Sequence, residues 1–151
     1  MKITKRGEYA LRALLAMASI HDKRTLSLRQ IAVREKLPLK FLEQIMMTLK
    51  KSGFVESVKG KHGGYTLSCP PHEITLGEII RAIDGPLSPI ATGDEIRKRI
   101  QREERHPGLY FAFLEVRDAI SAILDKKTLA DVCEKSTELA RSKIASGMYD
   151  I

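Results

Sequence analysis

The chain carries only two cysteines, Cys69 and Cys133, in 151 residues, too few for a disulfide framework. The simplest reading is a cytosolic protein in a reducing compartment. No apolar run comes near the roughly 20 residues needed to cross a bilayer, so no membrane partner is expected. The opening Met1-Lys2-Ile3-Thr4-Lys5-Arg6 moves straight into an amphipathic pattern rather than a signal-peptide core. Internal repeats and low-complexity segments are missing as well. The four histidines, His21, His62, His72 and His106, have no neighbouring Cys, Ser or carboxylate arrangement that would make a catalytic unit. The glycine-rich turn Lys59-Gly60-Lys61-His62-Gly63-Gly64 lacks the strand-loop-helix context and the Gly-Lys-Ser/Thr ending of a nucleotide loop. An enzyme is therefore the least supported class.

Acidic residues are scarce in one part of the chain only. Residues 1–66 hold 14 Lys and Arg against 5 Asp and Glu, whereas residues 67–151 hold 12 against 14. The whole excess behind the net charge of +7 thus lies in the N-terminal part, as expected if only that part meets a polyanion.

Apolar spacing predicts a first helix from about Thr4 to His21, with Ala10, Ala13, Leu14, Met17 and Ala18 on one face. After the polar break His21-Asp22-Lys23-Arg24, Ser27 and Gln30 make a capping-box pattern that opens a short second helix to about Glu35. Leu37 lies in the turn, and Pro38 precedes a third helix that buries Leu42, Ile45, Met46 and Leu49. This is a helix-turn-helix pattern, with Lys36 where a glycine is usual. Phe54 to Val58 and Tyr65 to Cys69 read as two strands joined by the basic turn, with Tyr65, Leu67 and Cys69 on one face. Glycine lets such a turn approach a ligand closely, and its lysines attract phosphate. Thr75 with Glu78 starts a helix to Gly85. The linker Gly85-Pro86-Leu87-Ser88-Pro89 follows, then a charged helix capped by Thr92 and Glu95, expected to be solvated or loosely docked.

Pro107 begins the longest helix, to about Lys126 or Lys127. Leu109, Phe113, Val116, Ile120 and Ile123 recur on it at 4-3-4-3 spacing, a coiled-coil-like seam. A chain this small can hardly bury both sides of such a helix, so a homodimer is expected. Packing of that helix on the first helix of the same chain is the competing reading. Thr128 with Asp131 starts a short helix, and the tail 134–151 has weak periodicity. The expected division is a DNA-binding unit over 1–86, a linker, charged helix and dimerisation helix over 87–133, and the tail.

These pieces, in this order, resemble the IscR/NsrR/CymR family of Rrf-type winged helix-turn-helix transcriptional regulators. The resemblance is carried by Thr4-Lys5-Arg6-Gly7-Glu8-Tyr9-Ala10, Phe41-Leu42-Glu43-Gln44, Val58-Lys59-Gly60 with Gly63-Gly64-Tyr65, Ile83-Asp84-Gly85, and Thr128-Leu129-Ala130-Asp131-Val132. It implies a mainly α fold: a winged helix-turn-helix domain with a two-stranded wing, plus a long C-terminal dimerisation helix. It also implies a homodimer on double-stranded DNA, acting as a repressor. Glu43 and Gln44 would read bases, since a carboxylate can accept from cytosine and an amide can pair with adenine. Thr4, Lys40, Lys50, Lys59 and Lys61 would hold phosphates, with His62 at the wing tip. The competing reading of Glu43 is a surface charge paired with a nearby lysine.

Many family members hold an iron–sulfur cluster on three cysteines ahead of the long helix. Here Ser88 to Gly108 contains no cysteine, and cluster iron is held mainly by thiolates. No cluster is expected, and Cys69 and Cys133 read as buried small hydrophobes. The signal would then be a small molecule, a protein partner, or oxidation at Cys133. A non-DNA adaptor that binds a partner through the long helix is the alternative function, but it leaves the N-terminal charge unexplained.

Overall fold

Four of the helix starts follow the spacing of Ser or Thr with a Glu, Gln or Asp three residues on. The computed structural model describes residues 1–20, 24–88, 90–102 and 105–147. The expected polar break at 21–23 and Pro89 of the linker lie outside the described residues. In chain order the elements are α1 (Lys5–Ala18), α2 (Leu28–Glu35), α3 (Leu39–Lys51), β1 (Val55–Val58), β2 (Gly64–Leu67), α4 (Leu76–Asp84), α5 (Gly93–Gln101), α6 (Pro107–Leu124) and α7 (Leu129–Ala145). Ser27–Gln30, Thr75–Glu78, Thr92–Glu95 and Thr128–Asp131 all close reciprocal capping boxes at the starts of α2, α4, α5 and α7. The expected mainly helical, winged architecture is what forms.

The core is built around α1, whose Ala10, Ala13 and Leu14 are fully buried. Small alanines let α2, α3, α4 and α7 all pack against this one helix. Ile31 from α2, Leu42, Ile45, Met46 and Leu49 from α3, and Ile79 from α4 complete the cluster. Between α2 and α3 the chain turns at Lys36, which adopts the left-handed conformation (φ 53°) that glycine usually supplies. The Leu37 amide then donates to Ala32 O at 2.9 Å, and its side chain is buried. The wing strands pair antiparallel, with Val55 opposite Leu67 and Val58 opposite Gly64. Leu26 bridges to the outer edge of β2 through two backbone hydrogen bonds with Tyr65, so the wing is held from both sides.

The turn between α6 and α7 returns to the winged unit. Leu76 N donates to Lys127 O at 2.8 Å and Leu129 N to Ile74 O at 2.9 Å. Leu129 itself is fully buried in the core. Beside it, Arg81 forks onto Asp125, Nη1 to Oδ1 at 2.5 Å and Nη2 to Oδ2 at 2.9 Å. That hydrogen bonding holds the Asp125 carboxyl below its ordinary value, against partial desolvation. A lowered folded pKa contributes stability above the unfolded carboxylate value of about 3.9 and loses it as pH falls through the folded value. Both partners are more than a third exposed, so the contribution is small. The gap in urea midpoint between wild type and Asp125→Asn is therefore expected to be widest near neutrality and to close below about pH 4. A gap that stays constant down to acid would show that the carboxylate charge is not what holds the turn.

Several local expectations are corrected. Of the two expectations for the charged helix α5, solvated or loosely docked, the structure shows docking, and a close one: it packs along α6, with Ile96 and Gly93 buried. Cys69 lies beyond the end of β2 and is exposed, because the alternation that placed it inward stops at Leu67. The helix after Thr128 is not short. It runs to Ala145, with its first turn in the core and its last turns standing in solvent.

Candidate nucleic-acid interface

Helix α3 is anchored from behind and bare in front. Arg6 on α1 donates from Nη2 to Thr48 Oγ1 at 2.7 Å, and Lys50 Nζ donates to Ser57 Oγ on β1 at 2.7 Å. The first contact fixes α3 to the core and the second ties it to the wing. On the opposite side, Lys40, Glu43, Gln44, Met47 and Lys51 are all exposed, at the 3–4 spacing of a single helix face. Among the described residues Glu43 makes no ion pair, so the paired-surface-charge reading finds no partner here. Glu43 and Gln44 sit at the middle of this stripe. Met47, 70% exposed beside them, carries neither a charge nor a strong hydrogen-bonding group, so nothing in the sequence pattern marks it as a contact residue.

The wing tip is shaped by its glycines. Gly60 turns with φ 122°, and Gly63 N donates back to Gly60 O at 3.0 Å. Lys59, Lys61 and His62 are exposed around this turn. The His62 carbonyl accepts from Thr25 Oγ1 at 2.6 Å, which pins the tip to the chain segment before α2. Lys40, Glu43 and Gln44 thus share the exposed face of α3, Lys50 is tied to β1, and Lys59, Lys61 and His62 stand at the wing tip.

Thr4 stands apart from the phosphate role expected for it. Its Oγ1 accepts from Gly7 N at 3.0 Å as the cap of α1 and donates to Asp84 Oδ1 at 2.5 Å. Thr4 N adds a bond to Asp84 Oδ2 at 3.0 Å. Its polar groups are thereby engaged in joining the start of α1 to the end of α4, and Gly7 is glycine because a Cβ there would run into the Asp84 carboxylate.

On α6, Leu109, Val116 and Ile123 are exposed at seven-residue intervals, and Phe113 and Ile120 between them are half-buried. The helix packs on α5 and α4 rather than on α1, the partner in the competing reading, and none of its residues is fully buried.

The donor set does not suit an iron–sulfur cluster. Cys69 is exposed at the wing base and Cys133 is half-buried on α7, and no group of three or more His, Cys, Asp or Glu is placed to hold a metal among the described residues. Burial also pushes the Cys133 thiol above its ordinary value, which lowers its thiolate fraction. Glu8 lies in the first turn of α1, where it complements the helix dipole.

Comparison with known proteins gives concordant results. Residues 3–135 match the family model Rrf2, described as iron-dependent transcriptional regulator. The transcriptional regulator CymR of Bacillus subtilis is 35% identical over 132 residues, covering 87% of this chain and 89% of that protein. IscR of Vibrio campbellii is 39% identical over 84 residues, 56% of this chain and 50% of that protein. Among solved structures, CymR, the global cysteine regulator of B. subtilis, superposes with a TM-score of 0.77 at 33% identity, covering 89% of this chain and 98% of that one. No helix among the described residues is long and apolar enough to cross a membrane.

Proposed function

This chain belongs to the Rrf2 family of transcriptional regulators, and from that footing we propose that it acts as a cluster-free homodimeric repressor in the cytoplasm. The observation that carries the reading is the bare α3 stripe beside a glycine-shaped, lysine-bearing wing tip. In this reading α3 enters the major groove, and Glu43 and Gln44 contact base edges. Lys40, Lys50, Lys59 and Lys61 hold phosphates, with His62 beside them at the wing tip. The seam of Leu109, Val116 and Ile123, with Phe113 and Ile120 along its flank, joins two copies, so that two α3 helices face a partly palindromic site. The signal in this reading is a small molecule or a protein partner. Cys133, with its raised thiol pKa, is the weaker candidate as a redox trigger.

Mobility shifts on duplexes selected from a random pool test the division of labour. Glu43→Ala is expected to relax base preference at one or two positions, each worth about 1–3 kcal/mol of discrimination. Lys59→Ala is expected to weaken all sequences alike and to reduce the salt dependence by about one charge per protomer. Equal loss of specificity from both changes would sink the assignment of reader and anchor.

A further inference from the structure

Where the winged unit meets the α5–α6 arm lies a cleft of about 310 Å³, at the small end of the range for metabolite sites. One wall is the end of α4 with the linker, Arg81 and Gly85 to Ser88; the other is the start of α5, with Arg117 of α6. No carboxylate lines it. The linker wall is fixed in advance. Leu87 is buried, Ser88 N donates to Pro86 O at 2.9 Å, and Ser88 Oγ accepts from Ala91 N at 3.3 Å. The hydroxyl hydrogen of Ser88 then has no acceptor among the described residues. Opposite, the Arg117 guanidinium lies against the backbone that opens α5: a Cβ on Gly93 would stand 3.2 Å from its Nε and Cζ. Arg117 spends Nη1 on the exposed Asp118 at 2.8 Å, which leaves Nε and Nη2. Arg81 spends both Nη groups on Asp125 and keeps Nε. Gly93 is buried, and its amide, first in the helix, has no intrahelical acceptor. The acids of that turn are engaged elsewhere, Asp94 with Arg97 and Glu95 with Thr92. A guanidinium laid on the positive end of a helix is unfavourable, and an anion between the two reverses the sign.

We propose that this cleft is an effector site for a small dianionic metabolite. Arg117, the Ser88 hydroxyl and the Gly93 amide hold one anionic group, and Arg81 meets the second charge. The proposal rests on the small-molecule signal in the reading above and gives that signal a place. Arg81 belongs to α4 of the winged unit and Arg117 to α6, and α6 touches α4 far less than it touches α5. One ligand on both arginines fixes the angle between the DNA-binding unit and the arm, and with it the spacing of two α3 helices in a dimer.

The test titrates the full chain with inorganic phosphate and with 3-phosphoglycerate at constant ionic strength, followed by amide NMR spectra. Saturable shifts are expected at Ser88, Thr92 and Gly93, with 3-phosphoglycerate binding about ten-fold tighter than phosphate because it reaches both arginines. Arg117→Gln should weaken binding by at least about ten-fold, and Gly93→Ala, whose methyl crowds the guanidinium, by about three-fold. Lys98→Gln, which removes the same charge from α5 outside the cleft, should leave binding unchanged. Amide signals away from the cleft report whether each variant is folded. Saturating 3-phosphoglycerate should also change the duplex affinity of the wild type by about five-fold or more, and that of Arg117→Gln not at all. Shifts confined to the lysines of α3 and the wing, or wild-type affinity in both cleft variants, would overturn the site. Binding at the cleft that leaves duplex affinity unchanged would overturn its role as an effector site. Occupancy is read without DNA, so a chain that retains no duplex would sink the DNA reading and not the cleft.

Discussion

Replacing Gly64 with alanine is expected to unseat the wing, at a cost of about 3 kcal/mol and a fall of roughly 10 °C in thermal midpoint. Gly64 has φ +154°, and a Cβ placed on it would lie 2.5 Å from the Leu26 carbonyl oxygen and 2.8 Å from Ser27 N. Those neighbours are backbone atoms, so no flexible side chain can swing aside to make room. Relief would come only by breaking the pair of hydrogen bonds between Leu26 and Tyr65 and shifting the Ser27 cap of α2. DNA affinity should fall more than ten-fold, since the wing tip would no longer be held against the segment before α2. Gly60→Ala is the matching control. Its φ of +122° is also unfavourable for alanine, but nothing lies within 4 Å of its Cβ position, so it should lose only about 1 kcal/mol. A Gly64→Ala protein that melts with the Gly60→Ala protein would refute the close approach.

The second large effect is expected from Leu129→Ala. This side chain comes from the far end of the sequence, yet it is fully buried in the cluster formed by α1, α3 and α4 with Ile74. Truncating a leucine in such a site costs about 3 kcal/mol, set by how far its neighbours can collapse into the space. The expected readouts are a lower urea midpoint with an unchanged slope, and weaker DNA binding at temperatures where the variant begins to unfold. A fragment ending at residue 86 should fold less stably still, because it also loses the backbone bonds from Leu76 to Lys127 and from Leu129 to Ile74. A 1–86 fragment as stable as the full chain would show that α7 contributes nothing to the winged unit.

Much of this was legible in the sequence, and the reason is local chemistry. The four capping boxes announce the starts of α2, α4, α5 and α7 because the hydroxyl and the third residue satisfy each other within one turn. Strong apolar spacing at Leu42, Ile45, Met46 and Leu49 gave α3 its buried face, and by subtraction the outward position of Glu43 and Gln44. What was missed depends on long-range contacts. Helix α7 is seated mainly through its first turn, where Leu129 is its one fully buried residue, so its later turns carry no periodicity to detect. The docking of α5 rests on Ile96 and Gly93 against α6, too thin an apolar edge to decide in advance between a solvated and a docked helix. Thr4 matched a family motif, but its hydroxyl is claimed by Asp84, 80 residues away in sequence. Arg24, Arg29 and Arg34 are scattered over eleven positions and come beside the wing tip only because Leu26 bridges to Tyr65.

The placement of Leu129 also bears on biosynthesis. A chain leaving the ribosome releases α1 through α4 first, but the last buried side chain of their core is not available until residue 129 has emerged. By then α6, with its exposed seam, is already outside. Closing the core and covering the seam therefore fall at the same late stage of synthesis, when two sets of apolar residues compete for cover. In the homodimer proposed above, neighbouring ribosomes on one messenger would supply the second copy at that moment.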